Sequence, residues 1–145
     1  MEKLKILIVE DDRVILRLYD KFLVDDVFDK QLTANGEEAM KIYHAWEPDI
    51  ILLDIMLPVM DGHEVLKEIR HTFEDTETPI IMSTSSSEKD EVLSCAKLGI
   101  QGYILKPFKP QEIPCKILEY YGKANPERAK AAMALLEKNV EEQIS

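Results

Sequence analysis

Asp54 closes an apolar run, Asp49-Ile-Ile-Leu-Leu-Asp54, and is followed by Ile-Met-Leu-Pro-Val-Met-Asp-Gly62. A carboxylate directly after four branched aliphatics reads as the C-terminal tip of a buried parallel strand. In open α/β sheets, ligands and chemistry gather at that edge. Two other runs end in charge. Glu10-Asp11-Asp12 follows Leu4 to Val9, and Lys106 follows Tyr103-Ile-Leu. Clustered carboxylates with one ammonium are the charge layout of a metal-assisted phosphate site. Three carboxylates against one lysine leave about −2 uncompensated, which a hard divalent cation with oxygen ligands answers.

These tips require strands, and the periodicity supplies them. Strands are expected over Leu4–Val9, Gln31–Thr33, Ile50–Asp54, Pro79–Ser83 and Tyr103–Leu105. Between them, Val14, Ile15, Leu18, Phe22 and Leu23 recur at helical spacing and predict a helix over Arg13–Asp25. Further helices are expected over Glu37–Trp46 and Glu64–Phe73, after Ser85-Ser-Ser-Glu88 up to Gly99, and from near Pro110. Pro114 falls about one turn into the last of these, where its missing N–H predicts a late start or a kink. Alternation of this kind gives a (βα)5 doubly wound α/β fold, with apolar strands in a parallel sheet covered by helices on both sides.

The 145 residues suit one domain with a real core, and the 46% apolar content argues for a globular chain. A formal net charge of −10 repels nucleic acid and anionic membrane, so no direct nucleic-acid or membrane partner is expected. No apolar run reaches the roughly 18 residues of a membrane span. The N-terminus enters a strand without a signal peptide, so a cytoplasmic location is expected. Cys95 and Cys115 form no metal or redox motif and read as reduced packing residues. His44, His63 and His71 read as surface helix residues.

Five blocks carry a resemblance: Ile6-Leu-Ile-Val-Glu-Asp-Asp12, Ala34-Asn-Gly-Glu-Glu-Ala39, Asp54-Ile-Met-Leu-Pro-Val-Met-Asp-Gly62, Pro79-Ile-Ile-Met-Ser-Thr84 and Gly102-Tyr-Ile-Leu-Lys-Pro-Phe108. Together they resemble the receiver (CheY-like) domain of two-component response regulators, over about residues 3–122. Thr84 lies 30 residues after Asp54 and Lys106 lies 52 after it, as in that family. The resemblance implies sheet order 2-1-3-4-5 and Asp54 as phosphoacceptor, with Thr84 and Lys106 contacting the phosphoryl oxygens. It implies Mg2+ held by Asp11, Asp54 and the Met56 backbone carbonyl, with Glu10 acting through water. Asp11-Asp12 remains an alternative acidic pair, although Glu10 directly after Val9 favours Glu10-Asp11; Asp12 otherwise reads as a helix N-cap. Thr84 and Tyr103 are implied as the switch pair, although ordinary strand burial also accounts for Tyr103. Ser85 is implied as a small residue that leaves the phosphoryl group accessible. Gly62 would permit close backbone approach, and Lys106-Pro107 would be a cis peptide.

The implied function is a phosphorylation-operated signalling switch. It takes phosphoryl from a sensor histidine kinase or phosphotransfer protein and changes the helix 4–strand 5–helix 5 surface for an unknown downstream protein. Homodimerisation on phosphorylation is compatible with that role. Only self-catalysed phosphorylation and dephosphorylation are expected, not enzyme turnover. An aspartyl-phosphate phosphatase would need an acid two residues after the nucleophile, where Met56 stands. A flavodoxin-type phosphate loop is excluded by Glu10-Asp11-Asp12, which repels phosphate. A non-phosphorylated interaction module is the other alternative. The receiver is expected over 1–122. Residues 123–145 are expected as a linker and an amphipathic helix, Pro126 to Gln143, with no separate output domain. Three placements of that helix follow: docked on its own domain, dimerising, or leading to a further domain.

Overall fold

The computed structural model describes residues 2–85 and 89–144. Five strands alternate with helices: β1 Leu4–Val9, α1 Arg13–Phe22, β2 Phe28–Thr33, α2 Gly36–Trp46, β3 Ile50–Asp54, α3 Gly62–Lys67, β4 Ile80–Ser85, α4 Lys89–Leu98, β5 Gly102–Lys106, α5 Ile113–Gly122 and α6 Pro126–Ile144. A π-helical turn, Glu68–Thr72, extends α3, and a 3-10 turn, Pro110–Glu112, precedes α5. All strand pairs are parallel, in the order β2-β1-β3-β4-β5. That is the doubly wound order expected from the resemblance.

Alternation within the strands divides the core in two. Leu4, Ile6, Ile8, Ile50 and Leu52 face α1 and α5 with Tyr19, Leu23, Ile117 and Tyr121. Leu7, Val9, Ile51, Leu53, Ile80 and Met82 face the other way, with Ala39, Val65, Leu66 and Cys95. Side chains alternate across a strand, so a strand buried on both faces must be apolar throughout. This is why all five residues of β3 are buried and the run ends on a carboxylate.

Short polar residues start three of the helices. The Asp12 carboxylate accepts from the amides of Val14 and Ile15, Asn35 caps α2 through the Glu38 amide, and Asp61 caps α3 through the Glu64 amide. The Asp12 reading as a cap is therefore borne out. Of the segment Ser85-Ser-Ser-Glu88 expected to cap the next helix, Ser85 ends β4 and residues 86–88 lie outside the described residues.

The boundaries depart from expectation in instructive places. β2 starts at Phe28, three residues earlier than the apolar pattern suggests. It is an edge strand, where Asp29 and Lys30 are tolerated because β1 supplies the whole ladder from Leu4 to Val9. α1 correspondingly stops at Phe22 rather than Asp25, and Val24 accepts the Val27 and Phe28 amides in the turn between. β4 continues to Ser85, so Thr84 is a strand residue paired in register with Leu105. Of the two outcomes open for Pro114, the late start holds. The α-helix begins at Ile113, and the proline sits in its first turn, where no N–H is needed.

α6 docks on its own domain. Ala129, Ala132 and Leu136 join the α1/α5 core, and the small side chains let α6 approach α5 closely. Arg128 Nη1 meets Asp49 Oδ1 at 2.9 Å, and Asn139 Nδ2 donates to Asp26 Oδ2 at 2.8 Å. No helix among the described residues is long and apolar enough to cross a membrane. Leu136→Ala should cost about 2 kcal/mol, the low end for a core leucine at a site 9% exposed. Ala132→Asp should cost more, since it buries an unpaired carboxylate. Urea denaturation measures both; losses under roughly 0.5 kcal/mol would mean that α6 contributes no packing.

Candidate functional site

The tips of β1, β3 and β5 bring Glu10, Asp11, Asp54 and Lys106 to one edge of the sheet. The Lys106 ammonium lies 2.8 Å from Glu10 Oε1 and 3.1 Å from Asp54 Oδ2. Carboxylate oxygens of Glu10, Asp11 and Asp54 all lie within 4.8 Å of one another. Glu10 and Asp54 are buried, whereas Asp11 is exposed. The acidic pair is thus Glu10-Asp11: Asp12 is spent on capping α1, and its own amide donates to Glu10 Oε2 at 3.3 Å.

Burial sets the electrostatics. It is the largest influence on Glu10, and the adjoining Asp54 carboxylate adds to it. The opposing Lys106 leaves Glu10 titrating at about 7 rather than 4.5. Burial by itself would lower the Lys106 pKa, but the two carboxylates outweigh it and the pKa is raised. Glu10 Oε1 has the lysine as its ion partner and no aligned hydrogen bond. A buried oxygen with spare acceptor capacity, in an all-oxygen set with excess negative charge, fits a hard divalent cation.

The loop after β3 is shaped by close contact. A Cβ on Gly62 would collide with the Asp54 carbonyl oxygen, so only glycine lets the loop close back on the strand tip. The Gly62 amide donates to the Ile55 carbonyl at 2.8 Å. The Met56 amide points to Asp54 Oδ1 at 3.3 Å, and the Met56 residue is exposed at the rim. The Lys106-Pro107 peptide is cis.

Thr84 is fully buried, and its hydroxyl donates to the Ser85 carbonyl at 3.2 Å. Tyr103 is 46% exposed, so ordinary strand burial does not account for it. Its carbonyl accepts the Tyr120 hydroxyl at 3.1 Å. His44 and His71 are exposed and His63 is half-buried; none joins the acidic cluster.

Sequence reasoning missed a buried link behind the site. Tyr19 on α1 shares a hydrogen bond with Ser83 Oγ at 2.9 Å and stacks on Phe108 at 5.3 Å. Tyr19 is not among the apolar positions that predict the helix, and nothing in the pattern marks its hydroxyl. It ties α1 to β4 one residue before Thr84.

The family model described as the response regulator receiver domain matches residues 6–118. The chain belongs to that family. This receiver is 36% identical over 117 residues to "Probable transcriptional regulator ycf27" of Porphyridium aerugineum, covering 81% of this chain and 48% of the relative. It is also 36% identical over 113 residues to the alkaline phosphatase synthesis transcriptional regulatory protein PhoP of Bacillus subtilis, covering 78% of this chain and 46% of the relative. The receiver spans about half the length of these curated relatives. Among solved structures, the chemotaxis response regulator CheY4 of Vibrio cholerae superposes with a TM-score of 0.75 at 27% identity, covering 82% of this chain and 99% of that one. α6 lies beyond the matched residues, 6–118.

The raised Glu10 pKa has a thermodynamic consequence. Between 4.5 and about 7 the folded receiver binds this proton more tightly than the unfolded chain. In chelator-treated protein that contribution is therefore full below pH 4.5 and is lost as pH rises to about 7. Glu10→Gln should flatten this part of the stability–pH curve, as measured by urea denaturation across the window. An unchanged slope would place the titration elsewhere.

Proposed function

We propose that this receiver accepts a phosphoryl group on Asp54 and uses it to switch a protein-binding surface. The observation that carries the reading is Asp54 at the tip of β3, with Lys106 Nζ 3.1 Å from one carboxylate oxygen and Glu10 and Asp11 beside it. The donor in this reading is a phosphohistidine of a sensor kinase or phosphotransfer protein. An Asp54 oxygen attacks phosphorus as the P–N bond breaks, the electron pair leaves on the imidazole, and an acyl phosphate forms. There is little other covalent chemistry to do, so positioning and charge neutralisation dominate.

Each residue has a defined part in this reading. Asp11, Asp54 and the Met56 carbonyl would hold Mg2+, with Glu10 acting through water. When bound, the ion would supply charge neutralisation for the phosphoryl oxygens. Lys106 keeps a positive charge at the same edge and would exchange part of its contact with Asp54 for a phosphoryl oxygen. The Thr84 hydroxyl would leave the Ser85 carbonyl to donate to the phosphoryl group, and small Ser85 keeps the approach open. Tyr103, half exposed beside Thr84's strand, would then turn inward and change the surface made by α4, β5 and α5. Couplings of this kind are typically about 1–3 kcal/mol.

In this reading the receiver unit is residues 1–122, with 123–145 as a linker and an appended amphipathic helix. A cytoplasmic location fits a kinase partner. The net charge of −10 favours a protein target over direct nucleic-acid contact, with homodimerisation as one form the output can take.

Incubation with acetyl phosphate and Mg2+ should add one group of about 80 Da, seen by intact-mass spectrometry, and Asp54→Asn should abolish it. Label that survives the substitution would move the site elsewhere. Lys106→Ala should still fold yet lose the response of the Tyr103 surface to beryllofluoride, read from the Tyr103 amide resonance. A normal response would remove Lys106 from the switch.

A further inference from the structure

Opposite the acidic cluster, at the N-terminal edge of the sheet, the α2–β3 and α3–β4 connections enclose a hollow of about 200 Å³. Tyr43, His44 and Phe73 form an aromatic wall, and Glu47, Pro48, Asp75 and Thr78 complete the lining. Three departures from regular backbone converge here. The π-helical turn Glu68–Thr72 delivers Phe73, whose amide donates to the Glu68 carbonyl at 3.0 Å. Glu47 and Glu74 hold left-handed conformations, with φ of 51° and 52°. Only one other described non-glycine residue, Val59, has a positive φ. Such departures persist where surrounding structure over-determines them, and they concentrate at ligand sites.

The chemistry of the lining selects charge. Phe73 meets His44 edge-on at 4.3 Å and lies 6.1 Å from Tyr43. The Tyr43 ring is held in place, because its hydroxyl donates to Asp75 Oδ2 at 2.6 Å. Asp75 also receives the Thr78 hydroxyl at 2.6 Å and the Glu77 and Thr78 amides at 3.0 Å. Burial would raise its pKa, but these hydrogen bonds outweigh burial and hold it at about 2, so the carboxylate stays ionised. Glu47 adds an exposed carboxylate at the C-cap of α2, where the helix end is itself negative. The buried cation behind the lining, Arg70, has its donors spent on the carbonyls of Gly99, Asp75 and Thr78 and on Gln101 Oε1. An aromatic wall with one fixed and one exposed carboxylate attracts a cation that also carries apolar or planar surface. An anion would meet Glu47 and Asp75.

We propose that this hollow binds an organic cation, a quaternary ammonium or a guanidinium, between the Tyr43–His44–Phe73 wall and the carboxylates of Glu47 and Asp75. The site lies at the far end of the strands from Asp54 and does not depend on the phosphorylation reading.

The test is an amide-resonance titration of the full chain at constant ionic strength with three probes. Choline represents a free quaternary ammonium, N-acetylarginine amide represents a partner's side chain, and the alcohol with carbon in place of the choline nitrogen is the uncharged control. At least one cation should give saturable shifts at His44, Phe73 and Thr78, and the control should not. The tighter of the two cations identifies the source. Phe73→Ala and Glu47→Gln, both at exposed positions, should each weaken binding roughly three- to fivefold, with the resonances around Asp54 unchanged. Failure of both cations to saturate, equal binding of the uncharged alcohol, or full affinity in Phe73→Ala would each overturn the proposal.

Discussion

One ammonium shared by two buried carboxylates organises this protein. Lys106 reaches Glu10 Oε1 at 2.8 Å and Asp54 Oδ2 at 3.1 Å, while Asp11 brings a third carboxylate to the same place. Breaking a buried ion pair by removing one partner is costly because it leaves an uncompensated charge. Here the imbalance is already present, since the carboxylates outnumber the lysine. Protonation of Glu10 is one relief, and a divalent cation would be another. The charges at this edge of the sheet do not balance.

The scaffold keeps that imbalance in place. β3 is buried on both faces, so Asp54 cannot retreat without disturbing two cores. Gly62 lets the following loop close over the strand tip, and Tyr19 ties α1 to β4 through Ser83. Thr84 and Tyr103 belong to adjoining strands yet differ sharply in exposure, one buried and one half open. In the proposed switch, a movement of Thr84 would reach the surface through Tyr103.

The opposite edge follows a different logic. There Arg70 gathers loop carbonyls beneath Asp75, and Arg128 clamps α6 to Asp49 at the start of β3. Arginine suits both tasks because its planar group makes several hydrogen bonds at once and always carries charge. Neither residue was recognisable beforehand. An arginine at helical spacing reads as surface, and only the loops folding around it show otherwise.

The sequence by itself determined the alternation of strands and helices, the three charged strand tips and the spacing of Thr84 and Lys106 from Asp54. These depend on local periodicity and on which residue ends each apolar run, both of which a single chain displays. It left open which acidic pair belongs to the site, where the charged edge strand β2 begins, how Pro114 is accommodated and where α6 goes. Tertiary structure decided these, because each depends on a partner distant in the chain: Lys106 selects Glu10, β1 recruits Phe28 to Lys30, and Asp49 with the α1/α5 core captures α6. The π-helical turn and the left-handed Glu47 and Glu74 belong to the same class, since backbone exceptions are fixed by packing rather than by the propensity of the residues that adopt them.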